Sequence, residues 1–230
     1  METIDLIRRR HSVRKYLNKP IEKEKREILN NTANFINQKT DLNIKIYYEE
    51  PKAFKCLLSY YGKFKNVSNY IVLSGNKKSE ELLGYYGEVL VLTAQELGLN
   101  TCWTALTYNK SSIKINLGEK EKIHCVIALG YGETPGVQRK SKSVDQVLKV
   151  KGEKPDYLNE AVEACLLAPT AMNQQKFKII CDNGKVTIKK NGLGFYTDMD
   201  LGIVKCHFEM ITGIRILQEV RENRENGKKI

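Results

Sequence analysis

The chain of 230 residues contains no long apolar run, one tryptophan, five prolines and three histidines. No stretch reaches the roughly 18 apolar residues of a membrane-crossing helix, so no transmembrane span is expected. Met1-Glu2-Thr3-Ile4-Asp5 is acidic and lacks the apolar core of a secretory signal, which makes the cytoplasm the expected compartment. His11, His124 and His207 stand far apart without zinc-type spacing, and no metal is expected. The six cysteines, at 56, 102, 125, 165, 181 and 206, form no C-x-x-C pair and mostly lie in apolar stretches. They read as buried free thiols of a reducing compartment. Paired carboxylates, a nucleophile elbow and a catalytic triad are also missing. The net charge of +11 is compatible with nucleic acid, a membrane surface or an anionic ligand. The lysines are scattered, however, and no nucleic-acid motif is present, so neither nucleic acid nor membrane is an expected partner.

The patterning that is present is mixed. Thr3 opens a short helix that runs into Arg8-Arg9-Arg10-His11-Ser12-Val13-Arg14, and Pro20 opens a second, with Ile21, Ile28, Leu29 and Ile36 at helical spacing. Ile44, Ile46 and Tyr48 alternate as a strand does, and Tyr70-Ile71-Val72-Leu73 reads as a buried strand. Ser79 to Leu97 is a long helix with a broad apolar face, ended by Gly98. Ile123 to Leu129 is another buried strand, closed by Gly130-Tyr131-Gly132. Residues 132–156 read as a connector. Asp156 opens a helix that Pro169 stops. Phe177–Cys181 and Lys185–Lys189 flank Asp182-Asn183-Gly184, a hairpin signal. A last helix is expected from about Asp200 to Val220. Helices mixed with an antiparallel hairpin imply an α+β fold.

Three segments carry chemistry. Arg10, Ser12 and Arg14 place two guanidinium groups and a hydroxyl within five positions, a set suited to phosphate. The same stretch also reads as a solvated basic face. Ala168-Pro169-Thr170-Ala171-Met172-Asn173-Gln174-Gln175 follows a helix end with amides able to pair with a heterocycle, or is an ordinary turn. Leu97-Gly98-Leu99-Asn100-Thr101-Cys102-Trp103-Thr104 offers a backbone against which a flat ring can rest, or is a helix cap before a buried tryptophan.

Together these segments resemble the FMN-dependent nitroreductase family. Arg10 to Arg14 is similar to its R-x-S-x-R flavin-phosphate element, and Ala168 to Gln175 to its A-P-S-x-x-N-x-Q loop, with Thr170 in place of serine. Leu97 to Trp103 is similar to its L-G-L-x-x-C-W segment. Gly130-Tyr131-Gly132 with the later Arg139-Lys140 is similar to its G-Y segment and downstream basic residue. The resemblance implies a nitroreductase-like fold and FMN as cofactor. It also implies a ping-pong cycle from NAD(P)H through the flavin to an electron-poor acceptor such as a nitro compound or quinone. The implied cofactor-binding residues are Arg10, His11, Ser12, Arg14, Thr101, Cys102, Trp103, Arg139, Pro169, Thr170, Ala171, Met172 and Asn173. No side chain is needed as acid or base.

The order of the motifs departs from the family's. There the A-P-S-x-x-N loop follows soon after R-x-S-x-R; here residues 28–40 lack it and it arrives only at 168. Asp198 to Ile203 is similar to the start of the family's central helix, which in the first half begins near Tyr85-Tyr86-Gly87-Glu88. The pattern is similar to a tandem branch in which one chain mimics the family's dimer, with unit 1–150 and a shorter unit 151–230. The first unit keeps the phosphate elements and the second keeps the loop. One complete flavin site, in a monomer open to further assembly, is the expectation. Alternatives are a non-catalytic flavin-binding protein, another flavin reaction on the same scaffold, and a basic nucleic-acid-binding protein.

Overall fold

The computed structural model describes residues 2–217, which fold into α-helices and two separate β-sheets. The first sheet is antiparallel throughout. It consists of β1 (Asn43–Tyr47), β2 (Asn69–Asn76), β3 (Asn100–Thr104) and β4 (Glu121–Gly130), ordered β1-β2-β4-β3. The central strands β2 and β4 are covered on both faces, which is why both read as continuous apolar runs rather than alternating ones. Ile71, Leu73, Ile127 and Leu129 face α2 (Lys23–Lys39) and α4 (Glu80–Glu96), packing with Leu29, Ile36 and Leu90. Tyr70, Val72, Val126 and Ala128 face the other way, against Phe54, Tyr108 and Ile113.

In the second sheet β5 (Leu148–Lys151) runs parallel to β6 (Phe177–Asp182), which pairs antiparallel with β7 (Lys185–Lys190). Asn183 and Gly184 have φ of 47° and 81°, the left-handed pair that a two-residue hairpin turn requires. Phe177, Ile179 and Cys181 point into a second core with α6 (Leu158–Leu167) and α7 (Thr197–Thr212). All six cysteines are free thiols, and only Cys56 escapes full burial.

The helices α4 and α7 join the two parts. A β-carbon at Gly84 would lie 2.0 Å from Met199 O, and one at Gly202 would lie 1.9 Å from Glu81 O. Each glycine therefore meets the residue three positions before the other, so the helices touch reciprocally at backbone distance. Side chains larger than hydrogen would force them apart. Trp103 packs against the cores on both sides of this contact. The first helix, α1 (Thr3–Arg9), adds Ile4 and Ile7 against Leu92 of α4 and Ala164 of α6.

Several elements differ from the sequence expectations. The connector 132–156 contains a one-turn helix, α5 (Val144–Val147), and then β5. Four residues with three exposed carry no strand signal of their own; β5 exists because β6 supplies its hydrogen bonds. That strand spans the expected division at 150/151 and belongs to the second sheet. Asn100–Thr104, expected as a polar segment leading out of a helix, is an edge strand. A five-residue helix, α3 (Leu57–Tyr61), has no counterpart among the expected elements. The last helix stops at Thr212, because Gly213 takes the left-handed conformation (φ 67°) and donates its N–H to Glu209 O. Residues 218–220 of the expected helix, and the tail after them, lie outside the described residues. Among the described residues no helix is long and apolar enough to cross a membrane.

Candidate functional site

Leaving α1, the chain turns extended at Arg10 and runs beside β3: Ser12 bridges Thr101, and Val13 N–H donates to Thr101 O at 3.0 Å. This pairing brings two of the sequence segments together. Cys102 lies in the electrostatic field of Arg10 and Arg14 and within hydrogen-bond reach of the Ser12 hydroxyl. Burial pushes its thiol upward, and those three neighbours oppose the shift. Thr101 and Cys102 are buried in the strand, whereas Arg14 is exposed. A cavity of about 360 Å³ opens at this point, lined by Arg14, Tyr61, Lys63, Phe64, Trp103 and Thr107.

The third segment arrives from the second sheet. Pro169 ends α6, and the chain makes a tight turn over Ala171–Asn173, with Met172 and Asn173 at φ of 50° and 54°. Two arginines from the first part of the chain hold the head of this loop. Arg10 Nη2 donates to Leu167 O at 3.3 Å, and Arg139 Nη2 donates to the same oxygen at 3.0 Å and also to Ala168 O. The basic element near the N-terminus and the Pro169 loop, distant in sequence, are thus in direct contact. Thr170 Oγ1 accepts from Gln175 N–H, and Asn173 Nδ2 donates to Lys140 O at 2.7 Å. Asp200, in the first turn of α7, accepts from Ala171 N–H at 2.8 Å and from Gln174 Nε2 at 2.7 Å. Burial lifts the Asp200 carboxyl to about 6, with these two donors and Arg139 opposing the shift.

Positive charge is in excess here. Desolvation, and then Arg10 beside it, bring Arg139 down to about 10, with Glu88 and Asp200 opposing the shift. Burial, then Arg10 and Arg139, hold the His11 imidazole below its usual range. The nearest counter-charge is Glu88 of α4, whose Oε1 lies 3.8 Å from Arg10 Nε. That carboxylate is fully buried and shared: Trp103 Nε1 donates to Oε2 at 3.0 Å, and His207 Nε2 lies 2.9 Å from Oε1. His207 Nδ1 faces Ala164 O at 2.7 Å. A carbonyl only accepts, so Nδ1 carries a proton, and the His207–Glu88 contact needs a further one between its two atoms. One hydrogen therefore bridges two fully buried side chains.

Neither Glu88 nor His207 is among the site residues expected from sequence. Glu88 does carry a signal, as a lone charge among the inward residues of α4. His207 carries none, because its partner is 119 positions away.

Two buried polar atoms at this place have no hydrogen-bond partner, Arg10 Nε and Asn173 Oδ1. One is a donor and the other an acceptor, and both belong to the segments the sequence singles out. A ligand with anionic and amide-like groups fits that donor set and the surplus of positive charge.

A family model described as "Putative TM nitroreductase" matches residues 2–212. The chain belongs to this family. Among solved structures it is similar to one of Thermotoga maritima described as a "putative nitroreductase", with 25% identity, a TM-score of 0.65, and coverage of 92% of this chain and 83% of that one. It is also similar to a protein of Bacteroides thetaiotaomicron described as a "Putative NADH dehydrogenase/NAD(P)H nitroreductase". That match has 22% identity and a TM-score of 0.50, and covers 63% of this chain and 95% of that one. An FMN-dependent nitroreductase of Clostridium difficile matches at 20% identity and a TM-score of 0.47, over 63% of this chain and 94% of that one. Among curated proteins, none matches the sequence. Membership of the nitroreductase family agrees with the mixed α+β architecture and places the chain in an oxidoreductase family.

Proposed function

We propose that this nitroreductase-family chain binds one FMN between its two parts and passes electrons from NAD(P)H to an electron-poor acceptor such as a quinone or nitro compound. The observation that carries the reading is the convergence of Arg10 and Arg139 on Leu167 O, which ties the phosphate-type element to the Pro169 loop. Arg10, Ser12 and Arg139, with His11 beside them, would hold the phosphate. Arg14, at the cavity, would meet the pyrimidine edge, where a positive charge favours the reduced anionic ring. Thr101, Cys102 and Trp103 would back the ring; Pro169, Thr170, Ala171, Met172 and Asn173 would edge it, with Asn173 Oδ1 free to accept from it. FMN, when bound, supplies the hydride and electron transfer, and the side chains bind, orient and tune it.

The reciprocal contact of Gly84 and Gly202 supports reading 1–150 and 151–230 as two related units. So does the match that spans 95% of a Bacteroides protein with only 63% of this chain. Residues 151–156 contain no R-x-S-x-R element, so a second flavin has no phosphate site. The test is the flavin released per chain from the purified yellow protein. One FMN is expected, and two would sink the composite site. Arg14→Ala and Asn173→Ala are each expected to weaken FMN binding at least tenfold, read by fluorescence titration, although they come from different units. Oxidation of NAD(P)H with a quinone or nitroaromatic separates an enzyme from a flavin carrier.

A further inference from the structure

The helix α3 is built inside out. Its one small polar residue, Ser59, set between two leucines and two tyrosines, is 2% exposed, and its hydroxyl donates to Phe54 O and Cys56 O. The apolar residues stand in solvent: Leu57 is 87% exposed, Leu58 55%, Tyr60 82% and Tyr61 87%. The segment is nonetheless fixed from beneath by buried Phe54, packed against Phe64, Tyr70 and Tyr108, and its backbone closes its own hydrogen bonds. Tyr60 N–H donates to Cys56 O, Gly62 N–H to Leu58 O, and Phe64 N–H to Ser59 O. Gly62 packs on Thr107, and its neighbour Leu106 is 71% exposed as well. A helix held this firmly with its apolar side outward is a presented surface.

The charge carried by the segment itself is of one sign. Lys52, Lys55, Lys63 and Lys65 are exposed, and residues 51–65 contain no aspartate or glutamate. Lys65 pairs with Glu133 at 2.9 Å. A two-fold contact of α3 with a second copy of the chain would set these lysines against their own counterparts with no carboxylate from the segment between them. A bilayer with anionic headgroups matches both features: leucines enter the acyl boundary, tyrosines sit at headgroup level, and lysines reach the phosphates.

We infer that α3 and its flanking lysines form a docking surface for an anionic membrane. The absence of a long apolar run makes a membrane partner unexpected from sequence; five residues suffice for interfacial contact because none has to cross. Tyr61 and Lys63 also line the cavity beside Arg14 and Trp103, so the docked face is the face on which that cavity opens. The surface stands on its own observations and does not depend on the flavin reading.

The experiment is co-sedimentation of the full chain with vesicles of phosphatidylglycerol and phosphatidylcholine in equal parts, and with phosphatidylcholine alone. Binding to the anionic vesicles is expected, at least tenfold stronger than to neutral ones and weakened by salt. The combined variant Leu57→Ser, Leu58→Ser, Tyr60→Ser and the combined variant Lys52→Glu, Lys55→Glu are each expected to lower it at least tenfold. Circular dichroism and bound flavin should remain as in the parent, since these side chains are exposed. Three results overturn the inference. One is a folded protein that stays in the supernatant with anionic vesicles. Another is binding that survives the serine variant, which assigns it to net charge alone. The last is a concentration-dependent dimer abolished by the serine variant, which assigns the face to a second copy.

Discussion

Glu88 and His207 show how much a single buried residue can be asked to hold. Glu88 faces Trp103, His207 and Arg10 at once, and each comes from a different element. His207→Ala leaves the carboxylate buried with one donor fewer, and a loss of about 3–5 kcal/mol is expected in urea unfolding. Glu88→Gln should cost less than about 1.5 kcal/mol. Its amide oxygen can accept from Trp103 and its amide nitrogen can donate to a neutral His207. If the glutamine variant proved the worse of the two, the hydrogen-bonding account of Glu88 would fail. Asp200 gives a pH dependence. Its carboxyl sits near 6 in the folded protein, above the 3.8 of an ordinary aspartate, because burial disfavours its charge. The stability it contributes is therefore present below 3.8 and lost as pH rises through 6, about 3 kcal/mol in all. Relative to Asp200→Asn, the parent should gain thermal stability as pH falls from 7 to 4. A difference that stays constant over that range would contradict the assignment.

At the scale of elements, the α4–α7 crossing decides how the two parts meet. Gly84 and Gly202 allow backbone contact, and the Lys205 side chain is drawn to Glu81 at 2.6 Å across the same crossing. Gly84→Val is expected to cost about 1–3 kcal/mol or more, because the only relief is to separate the helices. The same substitution should also weaken flavin binding, since α7 carries Asp200 and Asp200 holds the Pro169 loop. Gly98 is the contrast, because a β-carbon added there would meet nothing within 4 Å. It is needed for its φ of 75° alone, and Gly98→Asn should be tolerated within about 1 kcal/mol. Helix and strand periods find most of these elements in the sequence. They do not find β3, β5 or α3. Each is short, and each owes its form to a partner: β4 for β3, β6 for β5, and the buried Ser59 hydroxyl for α3.

Across the whole molecule, the single tryptophan reports on both cores, because Trp103 packs against the residues around α4 and those around α7. Urea unfolding followed by its fluorescence and by circular dichroism is expected to give coincident single transitions. Two separated transitions would mean that the parts fold independently despite the crossing. FMN that binds only the folded chain should raise the midpoint, by the equivalent of about 2.7 kcal/mol at a hundredfold excess over its dissociation constant.

The motifs at Arg10, Trp103 and Pro169 are legible in the sequence because they are contiguous, and a contiguous segment carries its own chemistry. Helical and strand periods are legible for the same reason. The order of the motifs is enough to suggest two units and one composite site. Only the tertiary structure could bring Arg10 and Arg139 to one carbonyl oxygen, pair Glu88 with His207, and turn the apolar side of α3 outward. Burial and pairing across more than a hundred residues depend on which faces meet, and side-chain order along the chain does not fix that.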